Sequence, residues 1–383
     1  MFPALLALPA AAAPYRPQAD SQVLATVLAR ASDPRAQELL ALRAAWRAAP
    51  QDLDRAVALA QRYFEQVAAE GDPRYIGYAQ AALQPWWDLT APPVPVRVLR
   101  AMLLQFVHRF ESALADLAAA LQAQPDNGAA WSWQTAILMV RADYDAARRS
   151  CAGLAPLATP LVAAACRAQV DAVTGHAAQA AATLRSALQL VPAASADERL
   201  WALTRLAETE ERRGEFAAAE KAFNDALNLG VPDVYLQAAF ADFLLDRGRA
   251  AEVLLLLAEG RRADVLLLRL ALAAKTAKSP QAHALAAELA ARFDAARQRG
   301  DTSHRKEESR FVLALQGDVP RALALARQNW SEQREPADAR ILLEAALAAR
   351  DRAAAQPVLD WMKAWRVESR ALQDLAAQVQ ALP

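Results

Sequence analysis

Cys151 and Cys166 are the only cysteines in the 383-residue chain. Each falls in a stretch that reads as helix, and Gly153–Pro160 joins the two stretches. Consecutive antiparallel helices bring such residues within disulfide reach. A cytosolic protein would keep them as buried thiols, whereas an exported one would tend to oxidise them. The expectation is a Cys151–Cys166 disulfide conditional on export, with a loop worth about 3 kcal/mol in the chain-entropy account. The other chemistry-bearing residues do not converge. His108, His176, His283 and His304 lie in separate stretches, whereas neighbouring metal ligands need helical spacing or a tight turn. His304 with Glu307 and Glu308 is the one local histidine–carboxylate group, and it reads as a helix start with a solvated face. There is no phosphate loop, no His-Glu-x-x-His and no Gly-x-Ser-x-Gly. The sequence therefore predicts no catalytic residue, no metal and no cofactor.

The elements that carry these residues are clearest in Leu200–Pro232. Leu203, Leu206 and Ala207 share one helical face, and Gly214 ends that helix. Phe216, Ala219, Phe223, Ala226 and Leu227 form a second apolar face, closed by Pro232. One helix pair cannot cover its own apolar side, so it needs neighbours. The same inter-helix turn recurs at His108, Ala142, Gly175, Gly214, Gly248, Lys278, Gly317 and Arg350, at spacings of 30 to 39 residues. The two spacings of 39 are assigned to an insertion at Ala193–Glu198 and to a long helix over Gln281–Arg299.

This pattern resembles the tetratricopeptide repeat, whose period is about 34 residues. Leu203 stands for the family's bulky first residue, Glu210 for its usual Tyr, and Pro232 sits one residue late. The resemblance is good from about Val94 onward and loose before it. It implies an all-α, right-handed superhelical solenoid of antiparallel helix pairs. Roughly nine units follow, enough for a full superhelical turn in this family.

Four segments are expected. Residues 1–13 resemble the end of a secretory signal peptide, with an apolar core and an alanine-rich cleavage site. Residues 14–93 form a helical cap or divergent repeats, 94–366 the repeat array, and 367–383 a capping helix. Asp20–Ala31 and Pro34–Ala48 read as the first helical pair. Gln84–Pro95 is irregular because four prolines forbid a continuous helix. It is a linker or a functional loop. Its adjacent Trp86 and Trp87 are not expected both to face one core; either one covers a repeat edge or they form an aromatic contact surface.

The resemblance also implies that first helices line a concave groove that takes a peptide. The groove register holds Val98, Met102, Ser132, Ala136, Met139 and Gln169, then Trp201, Glu208, Glu211, Tyr235 and Asp242, then Lys275, Arg340 and Glu344. Tyr235 over Asp242, and Trp201 over Glu208, place an aromatic two turns from an acid. The Lys and Asn clamps that some family members use for a terminal carboxylate are missing at Trp201, Thr204, Glu208, Ala238 and Asp242. An apolar, helical or basic segment fits better. The run Glu208–Arg213 reads as salt-bridged surface, worth little per pair. Forty-three basic and 43 acidic residues cancel, which argues against nucleic-acid binding. No run has the length of a membrane helix.

The favoured function is a non-enzymatic scaffold that binds a protein or peptide partner in a bacterial envelope compartment, periplasmic or secreted. Two alternatives stay open. One is an α-solenoid enzyme of the lytic transglycosylase type, which needs a catalytic Glu in a globular appendage not visible here. The other is a cytosolic regulatory module.

Overall fold

A computed structural model describes residues 34–301 and 303–383. The signal-like residues 1–13 and the expected helix Asp20–Ala31 lie outside that range. The described residues form 21 α-helices and no strand, with each helix packed on its sequence neighbour. The chain is an all-α solenoid of antiparallel helix pairs.

The turns explain the phasing. All eight turn residues identified from the sequence have positive φ, between 53° at Lys278 and 80° at Gly214. In seven of them the next residue's N–H closes the helix onto the carbonyl five residues back, as in Glu215 to Glu210 at 2.9 Å and Asp351 to Ala346 at 2.9 Å. This left-handed cap satisfies a carbonyl that the helix end leaves unpaired and reverses the chain. The eighth differs: Asp318 N–H reaches Val312, six residues back, because Val312–Gln316 is a π turn. One extra residue is accommodated there without losing the cap.

The expected insertion at Ala193–Glu198 is half turn and cap, half helix. Ala196–Arg213 is an 18-residue helix that begins at a Ser195/Glu198 capping box. The extra residues lengthen the first helix of that pair by a turn, because the box supplies partners for donors at its start. The long helix expected later is present as Ala282–Gln298.

Three apolar clusters hold the coil. One runs from Leu39 to Ile137 and a second from Leu161 to Ala322. The third joins Leu138–Val173 to Ala326–Val379. The coil therefore closes on itself. Arg334 N–H donates to the Val140 carbonyl at 2.8 Å, and Trp365 meets Tyr144 edge-on at 4.9 Å between centroids. Glu368 accepts the Ala177 N–H at 2.7 Å. The Gly71 turn packs so closely that an added Cβ would lie 2.5 Å from the Ala263 Cβ. Glycine is thus required there twice, by contact and by its φ of 67°.

Trp86 and Trp87 correct the expectation that both could not face one core. Both are partly buried against the first cluster. They lie on the four-residue helix Gln84–Trp87, where neighbours diverge by about 100° rather than the near-opposition of a strand. Val98 and Met102 are likewise core residues, 7% and 4% exposed, and do not line a groove.

Candidate functional site

Charged residues on the first helices of the later pairs meet one another. Ala196–Arg213 carries Arg205, Glu208 and Glu211; Val234–Asp246 carries Tyr235, Asp242 and Asp246. Asp264–Thr276 carries Arg269, Arg305–Phe311 carries Arg310, and Pro336–Ala349 carries Arg340.

One aromatic–acid contact forms, between units rather than within one helix, and it exchanges the partners of the two expected pairs. Tyr235 donates its hydroxyl to Glu208. Arg205 lies over the Tyr235 ring at 4.8 Å and pairs with Glu208 at 3.1 Å. Asp242 takes Arg269 through contacts of 2.7, 3.1 and 3.2 Å, and Arg310 at 2.6 Å. Tyr235–Glu208 and Arg269–Asp242 share a separation of 27 residues, so one relation between successive first helices is used twice.

Electrostatics follow from this packing. Burial opposes the Asp242 charge, but Arg269 and Arg310 outweigh it and hold the carboxyl far below its ordinary value. Glu211 has no side-chain hydrogen bond or ion pair among the described residues. Burial, with Asp246 and Glu208 close by, pushes it up to about 7. Tyr235 leaves 51% of its surface open, yet burial among surrounding protein raises its phenol. The ring is thus half open at its surface while neighbouring protein crowds its hydroxyl end.

Trp201 is half-buried and packs on both the middle cluster and the one that holds the C-terminal helices. Met139 is half-buried against the latter. Of the five groove residues singled out, Glu208 and Tyr235 meet directly, and Asp242 is held by two arginines. Trp201 and Met139 serve mainly in packing.

Two charge readings need correction. Glu210 is fully buried, engaged by Arg185 and Arg213, and is not surface. Helix pairing turns its face inward, and the two arginines follow it. Glu307 and Glu308 are 8% and 6% exposed, so the start of that helix is not a solvated face. Glu308 is clamped by Arg297 and Arg321 from the flanking helices. His304 Nε2 lies 3.7 Å from Asp301, and among the described residues no group of three or more His, Cys, Asp or Glu is placed to hold a metal.

Cys151 on Tyr144–Leu154 and Cys166 on Pro160–Asp171 face each other. Their Cα atoms are 5.6 Å apart and their sulfurs at bonding distance. Both are buried, and the Thr135 hydroxyl lies 3.9 and 3.7 Å from the two sulfurs.

Arg205, Asp246, Arg269 and Arg310 were not among the groove residues expected from sequence. The 27-residue relation gives Arg269 from Asp242, so that signal was present. Arg310 is 68 residues from Asp242, and local periodicity carries no information about it.

No protein-family model matches the chain, and no curated protein matches it. It is similar to a chain of the crystal structure of the APC/C hetero-tetramer Cut9-Hcn1, over 86% of this chain and 63% of that one, at 14% identity and a TM-score of 0.49. It thus spans less than two thirds of that chain's length. It is also similar to the TPR domain of P58(IPK), over 76% of this chain and 98% of that one, at 15% identity and a TM-score of 0.26. A third similarity is to the human IFIT1 dimer with m7Gppp-AAAA, over 89% of this chain and 67% of that one, at 15% identity and a TM-score of 0.31. The architecture itself rests on the helix pairs and turns described above. No helix among the described residues is long and apolar enough to cross a membrane.

Proposed function

We propose that the chain is a non-enzymatic helical-repeat scaffold that binds a segment of a protein partner, in an exported compartment. The observation that carries the reading is Tyr235. Its ring is fixed by Arg205 on one face and by Glu208 at the hydroxyl, yet half its surface stays open. A rigid aromatic with one free face is a low-entropy contact for a partner side chain. Asp242 and Asp246 already hold arginines of the chain itself, so a basic partner group meets Glu211 and the Tyr235 face rather than these two acids. A protein partner also fits the balanced formal charge better than a nucleic acid does. The Cys151–Cys166 geometry supports an oxidising compartment.

A photo-cross-linking residue at Tyr235, compared with one at Leu255, tests the binding reading. Leu255 is 79% exposed on a second helix. Capture of a discrete protein from the envelope fraction at Tyr235 alone is expected. Equal capture at Leu255, or none at Tyr235, overturns it. Fractionation and the N-terminal mass of the mature chain test export; an uncleaved cytosolic protein refutes it.

A further inference from the structure

His108 is the turn residue between Val94–Phe106 and Phe110–Ala123, with a φ of 59°. Its ring stacks on Phe110 at 5.4 Å between centroids. It also reaches Gln333, 225 residues further along the chain. The next residue, Arg334, donates its N–H to the Val140 carbonyl, so both contacts belong to the closure of the coil.

A run of hydrogen bonds dictates the state of the ring. Asp338 Oδ1 accepts the Asn329 amide at 2.8 Å, and its Oδ2 accepts the Glu335 N–H at 2.8 Å. Both oxygens are acceptors, so Asn329 gives its amide nitrogen to Asp338 and its oxygen to Gln333. Gln333 Nε2 donates to that oxygen at 3.3 Å and lies 3.5 Å from His108 Nδ1. An amide nitrogen only donates, so Nδ1 must accept. The imidazole is therefore neutral, with its proton on Nε2. Asp338, Asn329 and Gln333 are all buried, and turning one amide round would leave a buried donor or acceptor without a partner. A proton on Nδ1 would set two donors against each other.

The surrounding charges do not rescue that proton. Glu332 Oε2 lies 3.9 Å from Nδ1, but Glu332 is already engaged by Arg305. Lys306, Glu307 and Asp338 also act on the ring. Burial and Lys306 outweigh the three acids and hold the imidazole below its ordinary value.

We infer that His108 is an acid-sensitive contact in the closure of the coil. Neutral, it accepts Gln333 and holds the first array unit against the last repeats. Protonated at Nδ1, it loses that bond and the closure loosens. The inference is independent of what the array binds. A freed ring titrates near its ordinary value of about 6.5, above its value in the closed coil. The contribution is thus present above about pH 6.5 and is lost as pH falls through the closed-state value.

Two readouts on the full chain test it. Histidine NMR should find His108 as the Nε2–H tautomer, titrating below its ordinary value. Hydrogen exchange at the Arg334 amide, corrected for intrinsic rate, reads the opening of the closure. Its opening constant should rise severalfold between pH 7.5 and 5.5, and by at most about tenfold, the limit for one proton on a group of ordinary value 6.5. The Leu257 amide, bonded to Val253 at 3.0 Å on a second helix, should not follow it. His108→Asn keeps a neutral acceptor and suits a positive φ, and it should abolish the rise at Arg334. An Nδ1–H tautomer, titration at or above 6.5, a rise at Arg334 no larger than that at Leu257, or the same rise in H108N overturns the inference. Should H108N loosen the closure at every pH, the tautomer and titration of the wild-type ring still decide.

Discussion

Arg340 and Asp246 lie 94 residues apart and meet through two hydrogen bonds of 2.5 and 2.7 Å. Arg340 also holds Glu344 at 2.7 Å. The pair ties the first helix of the last repeat to that of a middle one, and so belongs to closure of the coil rather than to any single hairpin. Its side chains are 29% and 18% exposed, between the surface and buried regimes. Arg340→Ala leaves Asp246 unpaired near Glu211, and the expected loss is about 2 kcal/mol, between the small worth of exposed pairs and the larger cost of breaking buried ones. Urea unfolding measures the loss, and small-angle scattering should show an expanded particle. The double replacement D246N/R340Q removes both charges and should lose less. Equal losses in the two variants would show that the pair is not what matters.

Glu211 predicts a pH dependence of the opposite sense to that of a salt-bridged acid. Its folded value of about 7 lies above the ordinary 4.5. The folded chain therefore holds its proton more tightly than the unfolded chain, and ionisation costs stability. This contribution is fully present below about pH 4.5 and is lost as pH rises to about 7. Asp242, whose carboxyl is depressed, acts in a separate window, losing its contribution only as pH falls below its ordinary 3.8. Glu211→Gln mimics the protonated acid. It should raise stability at pH 8 by on the order of 1–2 kcal/mol, discounted for its partial exposure. It should change little at pH 4.5. Denaturant melts at the two pH values read this directly, and an equal effect at both would refute the assignment.

Helix pairs and turns were legible in the sequence because each unit repeats its own signals. Pro34–Ala48 and Ala177–Leu190 have the bounds that their apolar spacing gives. His108 and Lys278 were identified as turn positions by alignment alone, although neither is the expected glycine. The inner site was legible only where successive units repeat a contact, as in Tyr235 with Glu208. Contacts such as Arg340–Asp246 depend on the pitch at which the coil closes. Pitch is set by small rotations summed over many interfaces, and no short motif encodes it. Glu210 shows a further limit: a charge run reads as surface until the packing decides which face turns inward.

Lys278 offers a test of the turn chemistry. Its φ is 53°, and a side chain in that conformation costs roughly 1 kcal/mol relative to glycine. The residue is exposed and makes no side-chain hydrogen bond or ion pair among the described residues. Lys278→Gly should therefore stabilise the fold, by up to about 0.5 kcal/mol once the added freedom of the unfolded chain is subtracted. The same substitution at Lys275 should destabilise by about 1 kcal/mol or more. That residue lies inside Asp264–Thr276 and donates to the Ala314 carbonyl at 2.5 Å. Opposite signs from two lysines three residues apart would isolate backbone conformation as the cause. A loss at both positions would count against the left-handed cap.

The cysteine pair gives the remaining prediction. Oxidised, it closes a loop of 15 residues between the second helix of one unit and the first helix of the next. Those helices also carry Leu154 and Val170 of the third apolar cluster, which meets the C-terminal repeats. The bond should stabilise by about 3 kcal/mol, by restricting the unfolded chain. Thiol titration of protein purified without reductant and then denatured should find no free thiol, and peptide mapping should recover Cys151 linked to Cys166. Two free thiols would overturn the bridge in the native compartment. Reduction should lower the melting temperature, whereas the C151A/C166A variant should melt at one temperature with or without reductant. The buried Thr135 hydroxyl beside both sulfurs gives a second readout. Thr135→Val should leave the reductant effect in place if the covalent link, rather than the local polar contact, carries the stabilisation.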